Sequence, residues 1–118
     1  MKPLQSYKNE IEIHLNDCWE VPFKQFVDDF RRERDLSALV LPYKTGNPQI
    51  DALLASTIEY LCHEQHLENP AWTWDIPALE HPWFVSGFES LKAITIAESP
   101  VQFRRRLIFV LKNFLERV

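Results

Sequence analysis

The chain has 118 residues and a formal charge of −4, with 46% hydrophobic and 25% charged side chains, which is typical of a single globular domain over residues 1–118. The acidic balance has the wrong sign for a domain that mainly holds nucleic acid nonspecifically, and two glycines are too few for a hairpin-rich β protein. Two cysteines do not make a disulfide framework, and no apolar run approaches the roughly 20 residues of a membrane-spanning helix. With no secretory h-region in the first twenty residues either, we expect a cytoplasmic protein without a membrane segment.

Two helices are predicted in the first third. In residues 6–18, Ile11, Ile13 and Leu15 alternate like a strand, but Tyr7, Ile11 and Leu15 also have helical spacing. No strand partner is evident nearby, so we favour a helix. A second helix over about 20–34 is predicted by apolar side chains at helical spacing and by arginines near the negative end of the helix dipole. These residues are Phe23, Phe26, Val27 and Phe30, followed by Arg31, Arg32 and Arg34.

The central helix is predicted over about 48–67. Asn47 and Pro48 have the form of an N-cap and a first helical residue, and an apolar stripe follows them. Before this helix, residues 35–46 predict a packed connection. Its apolar patch is Leu39, Val40 and Leu41, closed by Pro42 and Gly46.

A tryptophan- and proline-rich segment follows over residues 69–82. Its three prolines predict a long ordered loop with at most one short helical turn, held by tertiary packing and not by a ladder of backbone bonds. Trp72 and Trp74 would share one side of an extended backbone, and Trp83 and Phe84 follow. With four tryptophans in so small a domain, we expect at least one indole at the surface.

Two start signals predict two short helices that meet at a corner. Ser86 and Glu89 resemble a capping box, and Ser99, ahead of Pro100, would end the first helix and cap the second. The second helix is apolar over most of its circumference, which is typical of a buried or interfacial helix. Arg104, Arg105 and Arg106 lie about 100° apart on it, so at least one should lie at the edge of the buried face and bond an internal carboxylate such as Glu98 or a loop carbonyl.

The spacing of the residues does not match the common catalytic motifs. There is no phosphate-binding glycine loop, nucleophile elbow or paired carboxylates on one helix face, so no catalytic residue, cofactor or metal site is assigned. One alternative remains, a small metal-dependent enzyme. Cys62 and His66 are four residues apart on a predicted helix, and His81 would join them from the loop.

From residue 48 onward the chain resembles a small, uncharacterised bacterial family. The matching segments are Asp51 to Leu54, Pro70 to Trp72, Pro82 to Phe84 and Glu98 to Arg105, in that order. Proteins of this family are often found beside nucleotidyltransferase-type toxins, so the resemblance implies an antitoxin or an accessory partner. Where the family has a glycine after the arginines this chain has Leu107, and we expect a continuous last helix here.

The sequence thus predicts a single compact all-α domain of five or six helices with a long Trp/Pro-rich ordered loop. The favoured function is a non-enzymatic, antitoxin-like protein that binds a protein partner. The predicted binding residues are Trp72, Trp74, Trp83, Phe84, Arg104, Arg105 and Arg106. A third alternative is a nucleic-acid-binding accessory module that combines these arginines with Arg31, Arg32 and Arg34, and a homo-oligomer is also left open.

Overall fold

The computed structural model describes residues 1–39 and 47–116. In these ranges five α-helices account for most of the regular structure: α1 Leu4–Ile13, α2 Glu20–Glu33, α3 Pro48–Glu64, α4 Lys92–Glu98 and α5 Val101–Arg104. Three short 3-10 helices, Leu36–Leu39, Ala71–Asp75 and Glu89–Leu91, complete the helical elements of these ranges. The radius of gyration is 13.5 Å, about the value expected of a compact chain of this length.

A short strand pair accompanies the helices. β1 Trp83–Phe84 runs parallel to β2 Ile108–Phe109, with Trp83 opposite Ile108 and Phe84 opposite Phe109. The chain is therefore compact and mostly helical, as predicted, but the all-α prediction omitted this pair.

The second helix forms where it was predicted, whereas the first ends at Ile13, before Leu15 of its predicted stripe, and the two helices pack against each other. In α1, Leu4, Tyr7 and Ile11 are fully buried at helical spacing, which confirms the choice of helix over strand. The Tyr7 ring meets Phe26 of α2 edge-on at 5.3 Å between centroids. The Tyr7 hydroxyl donates a 2.5 Å hydrogen bond to Asp29, so the paired helices also share a buried polar contact.

The central position of α3 is confirmed, since α3 contacts α1, α5 and the 3-10 helix Ala71–Asp75. Asn47 caps it by accepting a 3.2 Å bond from the Ile50 amide, and Pro48 is its first residue. Of the predicted connection over 35–46, Leu36–Leu39 is the 3-10 helix named above; Val40, Leu41, Pro42 and Gly46 lie outside the described residues.

The predicted continuous last helix is wrong. α5 ends at Arg104, and Leu107 has a left-handed backbone with φ of 64°. Ile108 and Val110 are then both buried, a period of two that a strand satisfies and a helix does not. Leu107, which stands where the similar family has a glycine, therefore adopts the left-handed backbone that ends the helical turn.

Both serine caps of the last third were also predicted incorrectly. The Ser86 hydroxyl is buried without a hydrogen-bond partner, and the helical turn after it starts at Glu89 without a side-chain cap. Ser99 does end α4, by donating to the Thr95 carbonyl, but it caps nothing in α5. Its hydroxyl instead accepts a 2.9 Å bond from the Val110 amide, so it ties the end of α4 to the residue after β2.

The Trp/Pro segment makes the predicted single helical turn, but it does form backbone bonds at its end. The Leu79 amide donates to the Arg106 carbonyl at 3.1 Å, and just beyond the segment the amides of Trp83 and Val85 donate to the carbonyls of Leu107 and Phe109 at 2.8 and 3.1 Å. The segment therefore lies along the chain that follows α5. Among the helices of the described ranges, none is long and apolar enough to cross a bilayer.

Candidate functional site

Arg106 is the buried arginine that holds the Trp/Pro segment on α3. Its side chain is 4% exposed and faces Glu59 of α3, which is 1% exposed, with nitrogen–oxygen distances of 2.6 and 3.1 Å. Its guanidinium also donates to the carbonyls of Thr73 at 2.7 Å and Ile76 at 3.2 Å, and to the Ser56 hydroxyl at 3.3 Å. A planar five-donor group suits this fork of acceptors.

The predicted buried arginine is therefore present, and the expected loop carbonyl is among its acceptors. The carboxylate is Glu59, not the suggested Glu98, which instead accepts a 3.2 Å bond from the Lys112 amide. Because α5 ends at Arg104, Arg106 lies in the turn before β2, where its side chain faces Glu59 of α3.

Trp74 and Arg105 form an exposed pair beside this buried group, and we call the two residues the Trp74–Arg105 surface. The indole of Trp74 is 62% exposed, and the Arg105 guanidinium lies 4.8 Å from its ring centroid. Arg105 also bonds Glu59, so its guanidinium is held between a buried carboxylate and an aromatic face. An open depression lies here, lined by Trp74, Ile76, Ala78, Arg105 and Arg106.

The other predicted aromatic residues are engaged within the fold. Trp72 is half-buried and donates its indole N–H to the Leu39 carbonyl at 2.7 Å. Trp83 packs against Trp19 with ring centroids 6.0 Å apart, and Phe84 stacks on Phe109 at 5.1 Å. The prediction that Trp72 and Trp74 share one side of an extended backbone is wrong, because residues Ala71–Asp75 form a 3-10 helix. With three residues per turn, residues two apart lie on different faces of such a helix.

The arginines of the nucleic-acid alternative are largely paired with protein groups. Arg31 makes a bidentate contact to Glu64 at 2.9 Å, and Arg32 lies 3.0 Å from Asp29 and 3.3 Å from Glu33. Arg104 donates to the Ser99 carbonyl at 2.9 Å. The carboxylate partners of Arg31 and Arg32 reduce the positive charge that these two side chains would offer to phosphates.

The residues of the metal-enzyme alternative, Cys62, His66 and His81, do not come together. α3 ends at Glu64, and His66 lies in the turn beyond it with φ of 58°, where its amide and that of Leu67 bond the last helical carbonyls. Cys62 and His66 therefore do not share a helix face. Cys62 is fully buried, and desolvation, together with the nearby charge of Glu59, raises the pKa of its thiol to about 11.

A different group of possible ligands lies in the turn after α1. His14, Asp17 and Cys18 place one ligand atom each within 4.8 Å of the others, the one such group in residues 1–39 and 47–116. Hydrogen bonds from the Cys18 amide and thiol lower the pKa of the Asp17 carboxyl, while the same contact raises the pKa of the Cys18 thiol. Sequence reasoning missed this group, although the i, i+3, i+4 spacing was visible.

The exposed apolar side chains around α4 were also missed. Phe88 is 66% exposed, and Ile94 and Ile96 are 46% and 48% exposed, while Thr95 is the buried side chain of the helix. A short amphipathic helix ordinarily turns its apolar side chains toward the core, so their exposure here is unusual.

Comparison of the chain with models of known protein families, with curated proteins and with solved structures finds no match.

Proposed function

We propose that the chain is a non-enzymatic protein that binds a protein partner through the Trp74–Arg105 surface, and that it acts as an antitoxin-like component beside a nucleotidyltransferase-type toxin. The surface is the part of the proposal that rests on geometry. The class of partner rests on the resemblance of residues 48–118 to the small bacterial family described above.

The observation that carries the surface is the exposure of Trp74 in a rigid setting. A tryptophan with 62% of its area in water is a large apolar side chain left uncovered. Trp and Arg are the residues most enriched among those that dominate binding energy at protein interfaces.

Contacts within the fold restrain both residues before any partner arrives. Arg105 bonds Glu59 and lies 4.8 Å from the centroid of the Trp74 ring, and Trp74 belongs to a helical turn whose Thr73 carbonyl is bonded by Arg106. Rotamers that are already restrained lose less entropy on binding, which favours affinity. Of the seven predicted binding residues, we therefore propose Trp74 and Arg105 as the central contacts.

Carboxylate pairing weighs against the nucleic-acid alternative, and the separation of Cys62, His66 and His81 weighs against the metal-enzyme alternative. A second copy of the chain remains a competing occupant of the same surface. It would be recognised by a concentration-dependent dimer that the substitution Trp74→Ala abolishes.

The direct experiment is co-expression with the protein encoded next to this chain, followed by co-purification and calorimetry. We expect a stable complex in which Trp74→Ala weakens binding by about 2 kcal/mol or more, roughly 30-fold in Kd. Phe88→Ala is the matched control, because Phe88 is an aromatic of similar exposure outside the surface. If Phe88→Ala weakens the complex and Trp74→Ala does not, the interface lies near Phe88 and α4 and the Trp74–Arg105 surface is wrong.

A further inference from the structure

The turn between α1 and α2 brings together three side chains that each favour transition metals. The Nδ1 atom of His14 lies 3.2 Å from a carboxylate oxygen of Asp17 and 3.7 Å from the sulfur of Cys18. The backbone holds this arrangement, since the Asp17 amide bonds the His14 carbonyl at 3.0 Å and the Val21 amide bonds the Cys18 carbonyl at 3.0 Å. The imidazole is half-buried and the other two side chains are exposed.

These separations match those of ligands around one tetrahedral ion. With zinc bonds of about 2.0–2.1 Å to nitrogen or oxygen and about 2.3 Å to sulfur, neighbouring ligand atoms lie about 3.3–3.6 Å apart. The separations of 3.2 and 3.7 Å in this turn differ from those values by about one or two tenths of an ångström, so a small rotation of the exposed side chains suffices.

We propose that His14, Asp17 and Cys18 form a binding site for Zn²⁺ or a similar divalent transition ion, with a water molecule in the fourth position. On binding, the S–H bond of Cys18 breaks, its proton leaves to solvent, and the sulfur bonds the metal as a thiolate. The three side chains replace water molecules of the hydrated ion, and no atom changes oxidation state. One nitrogen, one oxygen and one sulfur ligand favour zinc-like ions over Mg²⁺ and Ca²⁺, which prefer oxygen alone.

A metal in this turn would act on the junction of the first two helices. Trp19 follows Cys18 directly, is 9% exposed and packs on Trp83 at 6.0 Å. An ion bridging residues 14 and 18 would therefore stabilise the entry into α2 and lie near a buried tryptophan. Binding to the folded chain alone raises its thermal stability by mass action.

Cobalt titration of the full chain, without an affinity tag and stripped with chelator, tests the proposal. We expect a sulfur-to-cobalt charge-transfer absorption at one equivalent, lost in Cys18→Ser and requiring at least about tenfold more cobalt in His14→Gln or Asp17→Asn. His63→Gln is the control for an exposed histidine elsewhere, and it should titrate like the wild type.

A zinc-dependent rise in Tm gives a second readout. It should occur in the wild type and in His63→Gln and be absent in Cys18→Ser, whose fold is checked by circular dichroism. The proposal is overturned if the wild type shows no cobalt–sulfur band, or if Cys18→Ser keeps the band or the zinc response. Neither outcome bears on partner binding, because the Trp74–Arg105 surface is built from other residues.

Discussion

The side chain of Arg106 connects the last third of the chain to α3, so its replacement by alanine should destabilise the fold strongly. The guanidinium is bonded to Glu59 of α3, to two carbonyls of the Trp/Pro segment and to the Ser56 hydroxyl. Arg106→Ala removes all of these donors at once and leaves a carboxylate that is 1% exposed without its bidentate partner.

The magnitude follows from the burial of these groups. Loss of one partner from a buried ion pair costs about 3–5 kcal/mol. Arg105 still bonds Glu59, which lowers the cost, and the Thr73 carbonyl keeps its bond from the Ile76 amide. The Ile76 carbonyl loses the Arg106 donor, which adds about 1–3 kcal/mol for a group left unsatisfied. Since these contributions are not additive, we expect a loss of about 4 kcal/mol, against a total stability of about 5–15 kcal/mol for an ordinary domain.

Urea unfolding followed by tryptophan fluorescence measures this loss. With a slope of about 2 kcal/mol per molar urea, the midpoint should fall by about 2 M. Arg105→Ala is the matched control, because Arg105 bonds the same carboxylate from a side chain that is 40% exposed, and it should cost about 1 kcal/mol or less. If Arg106→Ala is no more destabilising than Arg105→Ala, the role given to the buried guanidinium is wrong.

Two further predictions concern the backbone break after α5 and the reactivity of the thiols. Because Leu107 has φ of 64°, Leu107→Gly should be more stable than Leu107→Ala by about 1 kcal/mol in urea unfolding, and equal stability would contradict a left-handed backbone there. In the native chain at neutral pH, iodoacetamide should modify Cys18 and spare Cys62, whose burial raises the pKa of its thiol to about 11. Mass spectrometry should show one adduct before denaturation and two after it, and two adducts in the native state would contradict the burial of Cys62.

The helices that could be predicted from sequence are those whose signals are local. α2 follows from one apolar stripe, and α3 follows from the Asn47 cap, the Pro48 start and its stripe, all within a few residues of each other. The last third could not be predicted in the same way, because its form depends on partners far along the chain. Ile108 and Phe109 form a strand that pairs with Trp83 and Phe84, and no local sequence pattern predicts that pairing.

In the candidate site too, features with local sequence signals could be predicted, and features that depend on distant residues could not. Three consecutive arginines on a predicted helix were enough to infer that one is buried, but the partner Glu59 lies 47 residues before Arg106 and cannot be identified from spacing. The distinction between an exposed Trp74 and a half-buried Trp72 also required the structure, since a 3-10 turn replaces the expected extended backbone. By contrast, the spacing of His14, Asp17 and Cys18 was local and could have been noticed.

The most direct test of the proposed function is a calorimetric titration of the purified chain with the protein encoded beside it, using the wild type and Trp74→Ala. We predict saturable binding by the wild type, with inhibition of the partner's activity, and an affinity at least about 30-fold weaker for a Trp74→Ala chain that remains folded. No binding by the wild type together with unchanged partner activity would contradict the antitoxin-like role, and equal affinity of the two chains would contradict the Trp74–Arg105 surface.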